Sequence, residues 1–310
     1  MLSYLEDLTL RLATGVGQLP DSVRDKHARF LLARQNTDGG FSGREGGSDL
    51  YYTSFALRGL ALTGELHGAV AERSAEFLRG QLKGQTPIID FLSLVYGAML
   101  LDASAGVDIF DRAPADWRQG VAAALERFRR PDGGYAKTDE GQSSSTYHTF
   151  LVTLCNQLLG REAPDPARLV TFVRSRQRDD GGFVEIGPMK QSGTNPTAAA
   201  AGLLKILDGF DEVIRQDTVD FLADMQSDEG GLTANTRIPI ADVLSTFTGS
   251  LTLVDLGALD RLDLKAARRY VESMQLDEGG FLGGAWDSGT DVEYTFYGLG
   301  ALALLQDTPS

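Results

Sequence analysis

The chain has 310 residues, 42% of them hydrophobic and 8% aromatic, so it can bury a large core, and no run of about 18 or more apolar residues predicts a membrane-spanning helix. Its formal net charge of -14 argues against nucleic acid and against an anionic membrane surface as partners, because clustered basic residues bind both. A single cysteine, and an N-terminus without the basic and apolar segments of a signal peptide, favour a cytoplasmic location.

The first predicted element is an N-terminal helix over residues 2–16, where apolar residues recur at helical spacing. We expect this segment, residues 1–19, to cover the exposed end of the first repeat. Residues 20–310 are expected to form a single domain.

A seven-residue motif, the heptad, then recurs along the chain. It consists of a glutamine, three mostly polar residues, two glycines and an aromatic residue or leucine, as in Gln177-Arg-Asp-Asp-Gly-Gly-Phe183. The first glycines Gly133, Gly181, Gly230 and Gly279 are separated by 48, 49 and 49 residues, and Gly39 precedes Gly133 by 94. This period indicates a repeat architecture with one degenerate copy near residues 81–84.

Each repeat begins with a predicted amphipathic helix that has charges on one face and apolar side chains on the other. These helices are expected in an outer, half-exposed layer. They cover residues 22–35, 69–82, 116–130, 166–177, 213–226 and 264–275.

A second, more apolar helix follows each heptad and is expected in an inner layer. Its predicted first position is always a residue that caps helices, since it is Asp, Ser or Asn: Asp49, Asp90, Ser145, Asn195, Asp242 and Asp291. Seven residues later stands a small residue in five of the six helices, namely Ala56, Gly97, Gly202, Gly249 and Gly298.

Six helical hairpins are enough to close a ring, which removes the open ends that a solenoid must cap. In such a ring the first heptad glycine takes a left-handed conformation, the second allows a close approach, and the last residue fills the joint between repeats. The heptad acids, such as Asp179 and Asp180, are then residues of a turn with no catalytic role.

The heptad resembles the repeat shared by protein prenyltransferase β-subunits and squalene or oxidosqualene cyclases. The resemblance covers essentially residues 20–306 and implies an all-α fold, the α6-α6 barrel or α/α toroid. The segments Ile240-Ala-Asp-Val-Leu-Ser245 and Thr290-Asp-Val-Glu-Tyr-Thr-Phe-Tyr-Gly-Leu299 are most similar to the Rab geranylgeranyltransferase β-subunit type.

This resemblance implies a catalytic zinc held by Asp, Cys and His, at positions that are Asp242, Leu244 and Tyr294 in this chain. Only the carboxylate remains, and catalytic zinc needs about three protein ligands. Zinc is therefore predicted to be absent. Asp242 also has a structural explanation, since it stands at a cap position.

The family's diphosphate-binding positions are substituted as well. Asn195 stands where the family has His, and Thr236 and Pro239 stand where it has Arg and Lys. Arg237, one position out of register, remains a candidate contact for an anion.

The cyclase branch of the family protonates its substrate with an Asp. The corresponding position here is Asn195, and a neutral amide is no strong acid. Asp90, Asp242, Asp291 and Glu293 are the alternative acids at the mouths of the inner helices, and Glu293 alone is not at a cap position.

Two further residues have reactive side chains on one predicted inner helix. His148 takes the position that Tyr52 and Tyr294 occupy in their own repeats and is a candidate at the cavity mouth. Cys155 lies among Leu and Val residues and is interpreted as core.

Aromatic residues concentrate in the first turns of the inner helices and predict an aromatic-walled central cavity for an isoprenoid or lipid-like chain. The rings are Tyr51, Tyr52, Phe55, Phe91, Tyr96, Tyr147, Phe150, Phe247, Tyr294, Phe296 and Tyr297. Helical spacing is expected to direct about half of them toward the centre, while the others pack between helices. The small residues of the inner helices are expected to leave space among them. The candidate substrate-binding set is Tyr52, Asp90, Tyr96, Tyr147, Asn195, Arg237, Phe247 and Tyr297, and the candidate catalytic set is Asp242, Glu293, Tyr294 and His148.

Three hypotheses for the function remain open. The first is an isoprenoid transferase or cyclase that works without zinc. The second is a non-catalytic isoprenoid-binding or scaffold protein. The third is a β-like subunit that requires a helical-repeat partner, since the prenyltransferase β-subunits it resembles work as heterodimers.

Overall fold

The computed structural model describes residues 2–82, 87–111 and 113–306, so the degenerate heptad predicted near residues 81–84 lies partly outside them. The helices within these ranges are α1 (Tyr4–Gly17), α2 (Asp21–Leu32), α3 (Leu50–Thr63), α4 (Gly68–Gln81), α5 (Ile88–Ala105), α6 (Trp117–Glu126), α7 (Thr146–Leu158), α8 (Pro166–Arg174), α9 (Thr194–Ile206), α10 (Glu212–Asp224), α11 (Val243–Asp255), α12 (Leu264–Ser273) and α13 (Val292–Leu304). A 3-10 helix covers Leu259–Arg261. Two short antiparallel ladders pair β1 (Tyr135–Ala136) with β2 (Ser144–Ser145), and β3 (Phe281–Leu282) with β4 (Thr290–Asp291).

The helices form a closed double ring. Each even-numbered helix from α2 to α12 is an outer helix, and the odd-numbered helix after it is its inner partner. Every inner helix packs against the next one, and α13 packs against α3, which closes the circle. The predicted all-α toroid of six helical hairpins is thereby confirmed.

One helix of the described ranges, α5, is long and apolar enough to cross a membrane by length and composition. It packs against α3, α4 and α7 within the ring. These contacts are those of a core helix.

Four inner helices start at the predicted caps. Asp49, Ser145, Asp242 and Asp291 each accept a hydrogen bond from the backbone N–H three residues later, at 2.6–3.0 Å. This satisfies one of the free N–H groups of a helix start.

The caps predicted at Asp90 and Asn195 are wrong. Asp90 lies inside the first turn of α5, which begins after Pro87, and proline suits a helix start because its φ is already fixed. Asn195 lies inside α9, where the cap is the extended Gly193. The Asn195 side chain accepts a hydrogen bond from Thr248 Oγ1 at 2.7 Å and is not used as a cap.

The heptad forms a tight turn, and most outer helices end before it. Helix α2 ends at Leu32, and Gln35 pairs with Phe41 across the turn, while Gln35 Nε2 donates to the Gly39 carbonyl at 3.0 Å. The same bridge recurs in the other described copies. The heptad acids belong to these turns as expected: Asp180 Oδ1 accepts from Gly182 N at 3.1 Å and from Ser192 Oγ at 2.7 Å.

The two heptad glycines fasten each repeat to the next outer helix. The first glycine has φ between 86° and 100° in all five described copies, a region that favours glycine. At the last joint, a Cβ on Gly279 would lie 2.5 Å from the Lys26 carbonyl oxygen, and a Cβ on Gly280 would lie 2.8 Å from the Phe30 ring. Because Lys26 and Phe30 belong to α2, this joint connects the last repeat to the first.

Two of the five small residues of the inner helices do not leave space in the centre of the ring, contrary to the expectation. A Cβ on Gly298 would collide with the ring of Phe281, and one on Gly249 with Leu232. Phe281 and Leu232 are the last residues of their heptads and are fully buried. These two glycines therefore accommodate side chains that fill the joints, whereas Gly202 lies against the ring of Phe150.

Helix α1 closes one end of the ring, a different position from the one expected. Its Tyr4 hydroxyl donates to Asp255 at the end of α11 at 2.9 Å, and Arg11 pairs with the same carboxylate at 2.7 Å. Tyr4 N donates to Gln157 near the end of α7, and Gly15 lies against Ala303 near the end of α13. Helix α1 thus lies across the C-terminal ends of the inner helices.

Candidate functional site

A cavity of about 410 Å³ occupies the centre of the ring. Tyr4, Leu5 and Leu8 of α1 contribute to its lining and form its floor, because α1 covers the C-terminal ends of the inner helices. The cavity opens toward the N-terminal ends, where the lining residue Tyr147 is 37% exposed. Its size falls within the range of small-molecule sites.

Aromatic rings form about a third of the cavity lining, together with aliphatic side chains. Eight of the eleven predicted rings line it, whereas Tyr52, Phe91 and Tyr294 do not. Phe247 packs edge-on against Phe296 with centroids 5.7 Å apart, and Phe55 packs against Tyr297 at 5.2 Å. Such edge-to-face contacts fix the orientation of the rings that face the cavity.

Of the four residues in the predicted catalytic set, Glu293 lines the cavity. It lies in the first turn of α13, and its Oε1 accepts a hydrogen bond from the Tyr51 hydroxyl at 2.5 Å. Burial raises the pKa of Glu293, and the hydrogen bonds from Tyr51 and Tyr297 oppose this shift. Burial is the largest of these effects, and it favours the protonated form of the Glu293 carboxyl group.

Arg58 also lines the cavity and was missed by the sequence analysis. Its guanidinium lies 4.5 Å from the ring centroid of Phe55 and 4.6 Å from that of Tyr96. Two sequence signals point to it. Arg58 is the only charged residue of α3, and it follows Tyr51 by seven residues, which places both on one face of the helix.

Glu185 is a second charged residue that the sequence did not single out. It stands two residues after Phe183, in the loop before α9, and lines the cavity. Its carboxylate accepts hydrogen bonds from Ser145 Oγ and from Tyr147 N. No spacing or motif distinguishes this Glu from the other loop acids.

Three residues of the predicted catalytic set lie outside the cavity lining. Both carboxylate oxygens of Asp242 accept hydrogen bonds from Ser245, from its N at 2.6 Å and from its Oγ at 2.8 Å, as expected of a cap. The Tyr294 ring faces Arg44 at 5.8 Å. His148 Nδ1 lies 2.8 Å from Ser145 Oγ, and burial lowers the pKa of His148 to about 4.

Cys155, interpreted as a core residue, is fully buried. Burial raises the pKa of its thiol to about 12, so the thiolate required of a nucleophile is disfavoured.

Only part of the predicted substrate-binding set lines the cavity. Tyr96, Tyr147, Asn195, Phe247 and Tyr297 line the cavity, whereas Tyr52, Asp90 and Arg237 do not. Arg237 is exposed in the loop before α11. The binding roles themselves stay predictions.

The positions that correspond to the zinc ligands of prenyltransferases do not fit a zinc ion. Asp242 accepts hydrogen bonds as the cap of α11, Leu244 has no atom that binds metal, and the Tyr294 ring contacts Arg44. Within residues 2–82, 87–111 and 113–306, no group of three or more His, Cys, Asp or Glu side chains is placed to hold a metal ion.

A closed ring of six helical hairpins around an aromatic-walled cavity defines an α/α toroid protein. The model of the family described as the prenyltransferase alpha-alpha toroid domain matches residues 10–89 and 98–309, and the chain therefore belongs to this family.

Several proteins of known identity resemble the chain. It is 31% identical over 199 residues to protein farnesyltransferase subunit beta of Pisum sativum, a match that covers 62% of this chain and 46% of that protein, so it spans less than half the relative's length. Candida albicans protein geranylgeranyltransferase-I, solved in complex with GGPP, superposes with a TM-score of 0.73 at 17% identity over 91% of each chain. The type II terpene cyclase MstE from Scytonema superposes with a TM-score of 0.61 at 15% identity over 96% of this chain and 98% of its own. At these identities the structural likeness shows the fold alone.

Proposed function

We propose that the central cavity binds an isoprenoid or similar lipid-like chain, and that the protein is a zinc-independent enzyme of the prenyltransferase and terpene cyclase superfamily. The observation that carries this proposal is the aromatic cavity of about 410 Å³ with the buried acid Glu293 near its mouth. Apolar walls with a few polar groups are typical of sites for small apolar molecules.

Acid-initiated cyclisation or isomerisation is the reaction that these side chains favour. The Glu293 carboxyl would donate its proton to a carbon of a substrate double bond, which leaves a carbocation on the adjacent carbon. The rings of Phe150, Phe247 and Tyr297 also line the cavity, and they would stabilise that positive charge. The resulting carboxylate keeps the hydrogen bond from Tyr51, and proton loss from the product cation restores the acid.

Transfer from an isoprenoid diphosphate fits the cavity less well. Arg58 is the only basic residue among the described residues that line it, whereas Glu185 and Glu293 bring two acids. A diphosphate leaving group requires several cationic contacts or a metal ion.

Replacing the acid provides the test. We expect Glu293→Gln to lower product formation from an isoprenoid olefin by about 100-fold, because the amide keeps the shape of the carboxyl group but cannot donate its proton. Squalene and polyprenyl alcohols would be incubated with the purified chain and the products identified by mass spectrometry. Glu212→Gln is the matched control, since Glu212 lies in the first turn of the outer helix α10 and is exposed. Unchanged turnover in Glu293→Gln contradicts the role of Glu293.

Metal analysis tests the zinc-independent part of the proposal. We expect the purified protein to contain no stoichiometric zinc, and chelation with EDTA to leave ligand binding unchanged, because Asp242 is the only ligand left at the family's zinc positions. One tightly bound zinc per chain would overturn this expectation.

A second candidate function is that of a β-like subunit with a helical-repeat partner. The loops that precede α9, α11 and α13 expose large apolar side chains near the cavity mouth: Met189 is 43%, Ile238 47%, Ile240 42% and Trp286 61% exposed. Exposed apolar clusters are typical of interaction surfaces. Native mass spectrometry of protein recovered from cells separates the candidates, since a co-purified lipid supports the enzyme or a binding protein, and a stoichiometric helical partner supports the subunit.

A further inference from the structure

Arg58 lies in the cavity wall and forms no ion pair with the residues that the structure describes. Its guanidinium stacks near Phe55, Tyr96 and Phe296, with distances of 4.5, 4.6 and 5.7 Å to the ring centroids. Its Nε is buried and has no hydrogen-bond partner. The ring faces attract the cation but supply no acceptor for its N–H groups.

The two acids of the cavity lining form hydrogen bonds with groups other than Arg58. Glu293 accepts a hydrogen bond from Tyr51, and Glu185 accepts from Ser145 and from the backbone of Tyr147. Among the ion pairs of the described part of the chain, none includes Arg58. Burial raises the pKa of Glu293 and the charge of Arg58 opposes this shift, but the two side chains form no ion pair among those of the described residues. The guanidinium therefore keeps an unpaired N–H donor, at Nε, in the cavity wall.

An unpaired charge in apolar surroundings is costly, and an anionic ligand would remove that cost. The planar guanidinium fork matches a carboxylate, which accepts two parallel hydrogen bonds from it. One cation balances one negative charge. A multiply charged diphosphate would leave excess negative charge close to Glu185.

We infer that the ligand of the cavity is a lipid-like monocarboxylate, whose acidic group binds Arg58 while its hydrocarbon chain contacts the aromatic wall. This inference rests on the proposed function in one respect, since it requires that the cavity binds a lipid-like chain. It adds the chemical class of the polar group and the residue that recognises it.

Three probes with one C20 chain test the inference: geranylgeraniol, geranylgeranoic acid and geranylgeranyl diphosphate. Binding to the purified full chain would be measured by isothermal titration calorimetry. We expect the carboxylate to bind about 10- to 100-fold more tightly than the alcohol, the range given by hydrogen bonds to a charged group. We also expect it to bind more tightly than the diphosphate.

Arg58→Met should abolish the preference for the carboxylate and leave binding of the alcohol unchanged or tighter. Arg58→Lys keeps the positive charge but loses the planar guanidinium group, so it should keep part of the preference for the carboxylate. Arg34→Met is the matched control, because Arg34 also lies 4.5 Å from a ring centroid, that of Phe30, but is exposed and outside the cavity lining.

The outcomes separate the inference from the proposed function. Binding of the alcohol without any preference for the carboxylate overturns the inference and leaves the proposed function standing, as does a preference that Arg58→Met retains. Tighter binding of the diphosphate also overturns it. If none of the three probes binds, the proposed function fails. Should Arg58→Met not fold, the preference of the unmodified chain and the response of Arg58→Lys decide.

Discussion

Gly279→Ala is expected to destabilise the protein by about 4 kcal/mol, a large effect for one methyl group. Gly279 has φ 100°, where an L-residue costs roughly 1–2 kcal/mol by itself. The added Cβ would lie 2.5 Å from the Lys26 carbonyl oxygen, which is backbone and cannot move aside without shifting α2. Because this contact joins the last repeat to the first, the substitution opens the ring.

Gly257→Ala is the matched control. Gly257 has φ 68°, also in the left-handed region, but nothing lies within 4 Å of the Cβ position. It should cost only about 1 kcal/mol. Equilibrium urea unfolding of both variants gives the comparison, and hydrogen–deuterium exchange should show faster exchange in α2 and residues 275–282 of Gly279→Ala. Equal costs for the two substitutions would contradict a closed ring at this joint.

The ring was predictable because its determinants are local and periodic. The heptad repeats at about 48 residues, and each of its parts acts within one joint: Gln35 holds its turn, Gly39 supplies the left-handed residue, and Phe41 fills the joint. Five such joints lie within the described residues, and the inner helices they connect form a closed circle. Four of six helix caps follow from the same residue types, since Asp and Ser accept N–H groups wherever a helix starts beside them.

The candidate site was less predictable because it depends on residues that the fold brings together from distant repeats. Tyr51 and Glu293 are separated by 242 residues, yet they share a hydrogen bond. Arg58 belongs to no motif, and its position beside the rings of Tyr96 and Phe296 appears only in three dimensions. The floor formed by α1 depends on Asp255, which binds Tyr4 and Arg11 from the opposite end of the chain.

Periodicity also misled in one respect. The small residues seven positions after the caps suggested space inside the ring, but Gly298 and Gly249 receive the heptad side chains Phe281 and Leu232. Spacing along a helix shows which residues share a face, but it does not show which neighbour that face contacts.

The second large effect concerns pH and the same joint between the first and last repeats. His27 is fully buried in α2, its Nδ1 accepts a hydrogen bond from Gly280 N at 3.0 Å, and its Nε2 therefore carries the proton that Gln275 Oε1 accepts at 3.0 Å. Burial, and then the charge of Lys26, lower the pKa of His27 to about 4. The folded state thus requires a neutral imidazole.

The sign of the pH effect follows from this lowered pKa. Below pH 6.5 the unfolded chain protonates His27, but the folded chain does not until about pH 4, so stability is lost as the pH falls through this interval. The loss from this residue should reach about 3 kcal/mol near pH 4. Above pH 6.5 the imidazole is neutral in both states and contributes no pH dependence.

His27→Phe isolates this contribution, because phenylalanine preserves the stacking on Phe281, whose ring centroid lies 4.5 Å away, but has no nitrogen. At pH 7 the variant should be less stable by about 2 kcal/mol, since Gly280 N–H and the Gln275 side chain lose their partner. As the pH falls, protonation of His27 in the unfolded state lowers the free energy of unfolding of the unmodified chain only. The two curves of this free energy against pH should therefore meet near about pH 5. Urea unfolding between pH 7 and pH 4 measures both curves, and contributions shared by the two proteins, such as the titration of His148 and Glu293, cancel in the difference. A constant difference across this interval would mean that His27 does not titrate with a lowered pKa and that the ring closure is independent of its protonation.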